Sequence, residues 1–415
     1  MSATATTVDL TDPRAIVEKL LRGRPLAMED PYPLYRALRE LAPRYEGEPG
    51  MLVLSRFSDI SAALRHRSMS SAAALHSDPR YPSSAVLQFF GNSMLFTDGI
   101  ADHKRLRNLV RQAFTRQTVQ GLRESTHALS HELLDRCLEM SRFDYMDDFI
   151  ERIPVAVICK MLGVPEADIE TFAEWNFLIT TVTGPDVSDE RMAAADEAAE
   201  GLRGYLRELL DERRRKPGDD LISKLIEARD EGGAMSDEET VCMAGFLLAA
   251  GSDTTSGFLG TATLALTRHP DQLQRLRDER ELMPGAIEEL LRYDGPIHFG
   301  IIRTAVEDCE VGDIGIAAGT RVWTMFPGGN RDPALVDEPE TLDIGREGVR
   351  HLGFAQGMHM CLGAMLARVE SEAVLNAALD RLATIEVLQD PIPWVNHGNL
   401  RGLAHLEVEA TAAAA

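Results

Sequence analysis

Between about residues 102 and 293, apolar side chains recur at helical spacing. Leu106, Val110 and Phe114 form one such series, and Leu133, Leu134, Cys137 and Leu138 another. So long a helical run, with short strand-like segments on either side, restricts the fold more than any other feature. Residues 50–55 read as a strand, followed by a short helix over 59–65. After Pro296, β-like runs at 301–305, Cys309–Val311 and 321–326 are separated by Gly312-Asp313 and Gly319. A last helix is expected over 363–382 and a closing strand over 404–408. No internal repeat and no Gly-, Ser- or Pro-rich linker divides these regions. The expectation is therefore a mostly α chain with a smaller β-rich region (α+β), folded as a single large domain. Its β-rich lobe would comprise about 30–70 and 297–330 plus the C-terminal strands, and its helical lobe about 102–293 and 363–382.

The 415 residues are 44% hydrophobic and 26% charged, which excludes a disordered, collagen-like or disulfide-stapled chain. A net charge of −23 argues against nucleic acid and anionic membrane as partners, because the long-range field repels both. The first residues carry Asp9, Asp12 and Arg14 where a secretory signal needs an unbroken apolar run. The most apolar stretch, 243–250, is far short of the ~20 residues of a membrane span. A cytoplasmic location is expected. Five widely spaced cysteines, with no CxxC pair, read as reduced thiols and not as a disulfide frame or a zinc site.

One cysteine stands apart. Residues 351–364 read His-Leu-Gly-Phe-Ala-Gln-Gly-Met-His-Met-Cys-Leu-Gly-Ala, and a helical pattern follows at once. Cys361 thus lies at the mouth of a helix, where unpaired N–H groups and the dipole stabilise a thiolate. Gly357 and Gly363 flank it, Phe354 can shield the sulfur, and His359 precedes it by two residues. A lone cysteine there is usually a packed core residue. Here the pattern Phe-x-x-Gly-x-His-x-Cys-x-Gly resembles, at each fixed position, the haem-binding loop of the cytochrome P450 family. That family commonly has Gly or Ser after the Phe; this chain has Ala355, a departure expected to be tolerated because Ala is small.

The resemblance extends over nearly the whole chain. A long helix is expected over Asp237–Arg268, opening with a capping box of Ser236 and Glu239 and stopping at His269-Pro270. Its centre, Ala249-Ala250-Gly251-Ser252-Asp253-Thr254-Thr255, is a small-residue patch that suits either close helix packing or a notch above a flat cofactor. Thr254 can back-bond to the Ala250 carbonyl. By the resemblance, Thr254 would hydrogen-bond dioxygen, Asp253 would relay protons, and Ala250 would border the haem. Glu289 and Arg292, three apart on a helix, are by themselves an ordinary surface ion pair. By the resemblance they are the structural lock that braces the cysteine loop, with Arg346 as a third member and the run Asn330-Arg331-Asp332-Pro333 in its family place. His103, Arg107, Arg303 and His359 match the family's anchors for the haem propionates, where charge-assisted bonds satisfy two carboxylates.

The resemblance implies haem b (iron protoporphyrin IX) with the Cys361 thiolate as axial ligand and metal-binding residue. It implies a monooxygenase that inserts one atom of O2 into an organic substrate by hydroxylation or epoxidation. Desaturation, cyclisation or oxidative coupling are alternatives on the same haem, and a sensor without turnover is a rival of another class. Electrons would come from a ferredoxin served by an NAD(P)H-dependent reductase, docking at Lys104, Arg105 and Arg111. The pocket would be lined by the 70–97 loop and the turn near 396–400, with Leu95, Phe246, Ala249, Phe299, Ile301 and Leu400 as apolar contacts. His298 and Asn399 would supply polar contacts. A monomer acting on a mid-sized, largely hydrophobic molecule of natural-product biosynthesis or catabolism is expected.

Overall fold

The computed structural model describes residues 8–21, 29–97, 99–182, 187–228, 233–395 and 399–413. The helices that bear on the site are α1 (Tyr32–Leu41), α2 (Phe57–Arg65), α3 (Ile100–Ala113), α4 (Arg123–Met140), α5 (Arg152–Leu162), α6 (Ile169–Thr180), α7 (Asp237–Arg268), α8 (Met283–Asp294) and α9 (Ala364–Arg381). The strands are β1 (Arg44–Glu46), β2 (Met51–Leu54), β3 (Met69–Ser70), β4 (Arg303–Ala305), β5 (Cys309–Val311), β6 (Ile314–Ile316) and β7 (Arg321–Thr324), with Leu382–Val387 and Glu407–Ala412 near the C-terminus. The fold is mostly α with small sheets, as the sequence implies. The closing strand lies later than the expected 404–408. Among the described residues no helix is long and apolar enough to cross a membrane.

The chain forms two compact units. The first comprises residues 1–70, 257–361 and 386–408. It holds a five-stranded sheet in the order β1-β2-β7-β4-β3, in which β2 and β7 run parallel with Leu52 opposite Val322 and Val53 opposite Trp323. Both faces of this sheet are covered. Leu52, Leu54 and Val322 point into a core shared with Ile60 and Leu64 of α2, while Val53 and Trp323 point into another shared with Tyr35 and Leu38 of α1. That is why β2 reads Met-Leu-Val-Leu without polar alternation. The stretch from 30 to 70, expected in the β-rich lobe, supplies β1, β2 and β3 to the sheet and also holds α1 and α2. Tyr32, Tyr35 and Leu38 recur at helical spacing and bury one stripe of α1.

The second unit comprises residues 71–256, 362–385 and 409–415. It is built of helices, with α9 packed along α4. The capping box of α7 forms as the sequence implies: Glu239 N–H donates to Ser236 Oγ at 3.2 Å, and Ser236 N–H donates to Glu239 Oε2 at 2.7 Å. At 32 residues, α7 is the longest helix among the described residues and spans about 48 Å. Two of its glycines sit at close contacts. A Cβ at Gly245 would lie 2.1 Å from the Phe89 ring, and one at Gly251 would lie 3.0 Å from Ile158 of α5. Phe89 and Phe90, on the helix Ala85–Gly91, are buried.

Candidate functional site

In the first unit, the cysteine loop turns back on itself. Cys361 N–H donates to the Phe354 carbonyl at 2.9 Å, and residues Gly357–His359 form a short 3-10 turn before α9 begins at Ala364. Gly357 has φ +74°, and a Cβ there would sit 2.5 Å from the Leu64 carbonyl oxygen, so the turn tolerates no side chain. Cys361 is exposed, whereas Cys137, Cys159 and Cys242 are buried and Cys309 is partly so. Burial pushes the Cys137 thiol up to about 11 and those of Cys159 and Cys242 up to about 12, which keeps them inert thiols. Gly363 caps α9 with its backbone alone, since no side chain caps this helix.

Ala355 changes the account of the loop. It adopts φ +52°, a left-handed conformation that favours glycine. Small size alone does not suit a residue to this position: the backbone angle, not the volume, is what it constrains. Ala355 N–H still donates to the Leu352 carbonyl at 2.7 Å, so the loop holds its shape against that strain.

A buried polar web braces the loop from below. Glu289 and Arg292 are 0% and 1% exposed, so they are not the surface pair that spacing alone suggests. Arg292 Nε and Nη2 donate to the two carboxylate oxygens of Glu289, both at 2.7 Å. Arg346 Nε and the Asp343 N–H add donors to Glu289 Oε1 at 3.2 and 3.1 Å. Arg292 also reaches the carbonyls of Pro339 and Thr341. Asn330 Oδ1 accepts the Leu352 N–H at 2.7 Å, which ties the web directly to the cysteine loop. Arg331 stacks on Tyr32 and Tyr293 and pairs with Glu340, while Asp332 accepts the Phe57 N–H.

Arg303 projects from β4 and is 3% exposed, and its Nη1 is buried without a hydrogen-bond partner. Desolvation pulls its pKa down to about 10. A buried guanidinium with an open donor calls for an anionic acceptor, and a haem propionate fits that demand. His359 is half-buried.

In the second unit, the middle of α7 breaks the burial of its surroundings. Residues 240–249 are buried, but Ala250 is exposed and Gly251, Asp253 and Thr254 are partly exposed. Thr254 Oγ1 donates to the Ala250 carbonyl at 2.8 Å, the back-bond that the sequence suggests. Asp253 is held by two residues of α6 that sequence reasoning missed. Asn176 Nδ2 donates to Asp253 Oδ1 at 2.6 Å, and Thr180 Oγ1 donates to Oδ2 at 2.5 Å. Burial raises the Asp253 carboxyl above its ordinary value, against the pull of both hydrogen bonds. No local pattern marks Asn176 or Thr180, because only the packing of α6 on α7 brings them to the acid. His103 is buried and Arg107 partly so, both on α3. Of the basic residues expected to dock a partner, Lys104 and Arg111 are exposed, but Arg105 pairs with Glu239 and Asp102.

The residues expected to line a pocket are placed unevenly. In the second unit Phe246 and Ala249 are buried and Leu95 is half-buried. In the first unit Ile301 and Leu400 are half-buried, with Leu400 bridged to Ile297. Phe299 is 4% exposed and packs edge-on against Trp323, so it belongs to the core. His298 and Asn399 are committed elsewhere. Tyr35 Oη lies 2.6 Å from His298 Nδ1, burial drives the His298 pKa down to about 3, and Asn399 Nδ2 donates to the Phe299 carbonyl. Of the turn near 396–400, residues 396–398 lie outside the described ones.

The chain is similar to known proteins over most of its length. The family model described as Cytochrome P450 matches residues 185–404. A putative cytochrome P450 133B1 of Xylella fastidiosa is 36% identical over 393 residues, covering 93% of this chain and 97% of that protein. The solved structure of the bacillaene polyketide synthase cytochrome P450 PksS of Bacillus subtilis aligns with a TM-score of 0.85 at 32% identity, over 94% of this chain and 99% of that one. P450BioI, solved in complex with an acyl carrier protein ligated to hexadec-9Z-enoic acid, aligns with a TM-score of 0.87 at 29% identity, over 93% of this chain and 99% of that one.

Proposed function

This chain belongs to the cytochrome P450 family, whose members are haem-thiolate monooxygenases, and on that premise we propose which of its residues carry the chemistry. Cys361 would hold the haem iron through its thiolate. The observation that carries this reading is that Cys361 is the exposed thiol of the five, on a loop closed by a left-handed glycine and braced by a buried ion pair. Haem with an axial thiolate supplies O–O bond cleavage when bound.

The chain's own residues then have distinct tasks. Arg303 offers its open Nη1 to a propionate, and His359, His103 and Arg107 contribute further cationic or polar anchors. Phe354, whose carbonyl accepts the Cys361 N–H, and Gly363 would flank the bound group beside the sulfur, and Ala250 leaves room for a flat ring. Asp253 can hold a proton at a carboxyl whose pKa burial raises, and Thr254 receives it at its hydroxyl. Asn176 and Thr180 fix the orientation of that carboxyl.

The substrate is a mid-sized, largely hydrophobic molecule of natural-product metabolism, hydroxylated or epoxidised. Apolar Phe246, Ala249, Ile301, Leu95 and Leu400 support this, as does the likeness to a polyketide-biosynthesis enzyme. A ferredoxin supplies electrons singly, docking on exposed Lys104 and Arg111. The test is spectroscopic. The reduced protein with carbon monoxide should give the red-shifted Soret band of thiolate ligation, and Cys361→Ser should abolish it. Thr254→Ala should keep that band while uncoupling NADH use from product. A Cys361→Ser protein with an unchanged spectrum overturns the assignment.

A further inference from the structure

A second cluster of metal-ligating side chains lies within the helical unit, on residues to which the haem chemistry gives no task. His127 and His131 stand four apart on α4, one above the other on a single helix face, and Asp380 reaches them from α9. The two Nε2 atoms are 3.2 Å apart. Asp380 Oδ2 lies 4.0 Å from His127 Nε2 and 3.9 Å from His131 Nε2. Tetrahedral zinc, with bonds of about 2.0–2.2 Å, sets its ligands roughly 3.3–3.5 Å apart. The imidazole pair already matches, and the carboxylate needs to move by about half an ångström, which a 45% exposed side chain can do.

The charges around the pair are mixed, with the carboxylate of Asp380 facing both imidazoles and the guanidinium of Arg381 nearby. Asp380 is the penultimate residue of α9, where unpaired carbonyls concentrate negative potential. Arg381, the nearest cation in sequence, is engaged by Asp135 at 3.1 Å. His131 is 19% exposed and His127 43%, so the site is open to solvent ions and leaves room for water as a fourth ligand. Two imidazoles with one carboxylate select zinc or a similar borderline metal over magnesium or calcium, which want all-oxygen shells.

We propose that His127, His131 and Asp380 form a binding site for a divalent transition metal of the zinc class, which clips α4 to α9. Because α9 starts three residues after Cys361, the clip would fasten the helix that leads out of the cysteine loop. The probe is ZnCl2 titrated calorimetrically into the tag-free, chelator-washed holoenzyme, with MgCl2 as a control. Expected are one zinc per chain, at least about tenfold weaker binding in His127→Gln and in His131→Gln, and a rise in Tm with zinc that both variants lose. Asp380→Asn should weaken binding as well. Unchanged Soret and carbon monoxide spectra in the variants verify that they are folded, and they separate this site from the haem assignment. Parent protein that takes up no zinc at submillimolar concentration overturns the proposal. So does zinc uptake that the histidine variants leave intact, since the metal then sits elsewhere.

Discussion

Two residues show how far single side chains depend on their backbone and neighbours. Ala355 occupies a left-handed position, φ +52°, beside the cysteine loop. Ala355→Gly is expected to stabilise the protein by about 0.5–1 kcal/mol, because relief of the strain exceeds the entropy that glycine adds to the unfolded chain. Urea unfolding of the holoenzyme checks this, and a lower midpoint would contradict it. Asp253 presents the opposite case, a carboxyl whose ionised form burial disfavours. Its carboxyl is raised by burial, so between the unfolded pKa and the raised one the folded chain retains protons that the unfolded chain has released. This group therefore supports stability below its unfolded pKa, and that support disappears as pH climbs through the raised value. Asp253→Asn removes the ionisation while Thr180 can turn its hydroxyl to accept from the new amide. The variant should gain Tm over the parent at about pH 8, gain little at about pH 4, and lose turnover. Equal Tm differences at both pH values would show that the carboxylate is not penalised.

At the level of elements, α7 shows one helix start doing two jobs. Glu239 closes the capping box with Ser236, and it also pairs with Arg105 of α3. Ser236→Ala should cost about 1 kcal/mol, the usual loss for a cap, read as a lower urea midpoint with an unchanged Soret band. The cap was legible from Ser236 and Glu239 alone because capping is local chemistry. The pairing of Glu239 with Arg105 was not, since the two are 134 residues apart. The same division runs through α8. The spacing of Glu289 and Arg292 was plain, but their burial and their ties to Asn330, Thr341 and Arg346 exist only because later chain folds over them. Strands β2, β5 and β7 were legible from their apolar runs. Helix α1 was missed because a ten-residue helix opening with Pro31 and Pro33 carries too short a stripe to stand out.

For the molecule as a whole, charge is the property that acts at a distance. A net charge of −23 leaves few cationic surfaces for an acidic electron donor, and Arg105 is already spent internally. Lys104→Glu with Arg111→Glu should therefore slow reduction by a ferredoxin and flatten its dependence on ionic strength, as stopped-flow kinetics across a salt series would record. A rate insensitive to both salt and these substitutions would move the docking surface elsewhere. What the linear chain determined was whatever rests on neighbours within a few residues: the Cys361 loop with its glycines, the cap and back-bond of α7, and the apolar runs of β2, β5 and β7. Only tertiary structure decided that Asn176 and Thr180 hold Asp253, that His298 and Phe299 are core, and that Ala355 is strained. Those facts rest on desolvation and on contacts across tens to hundreds of residues, which no local pattern encodes.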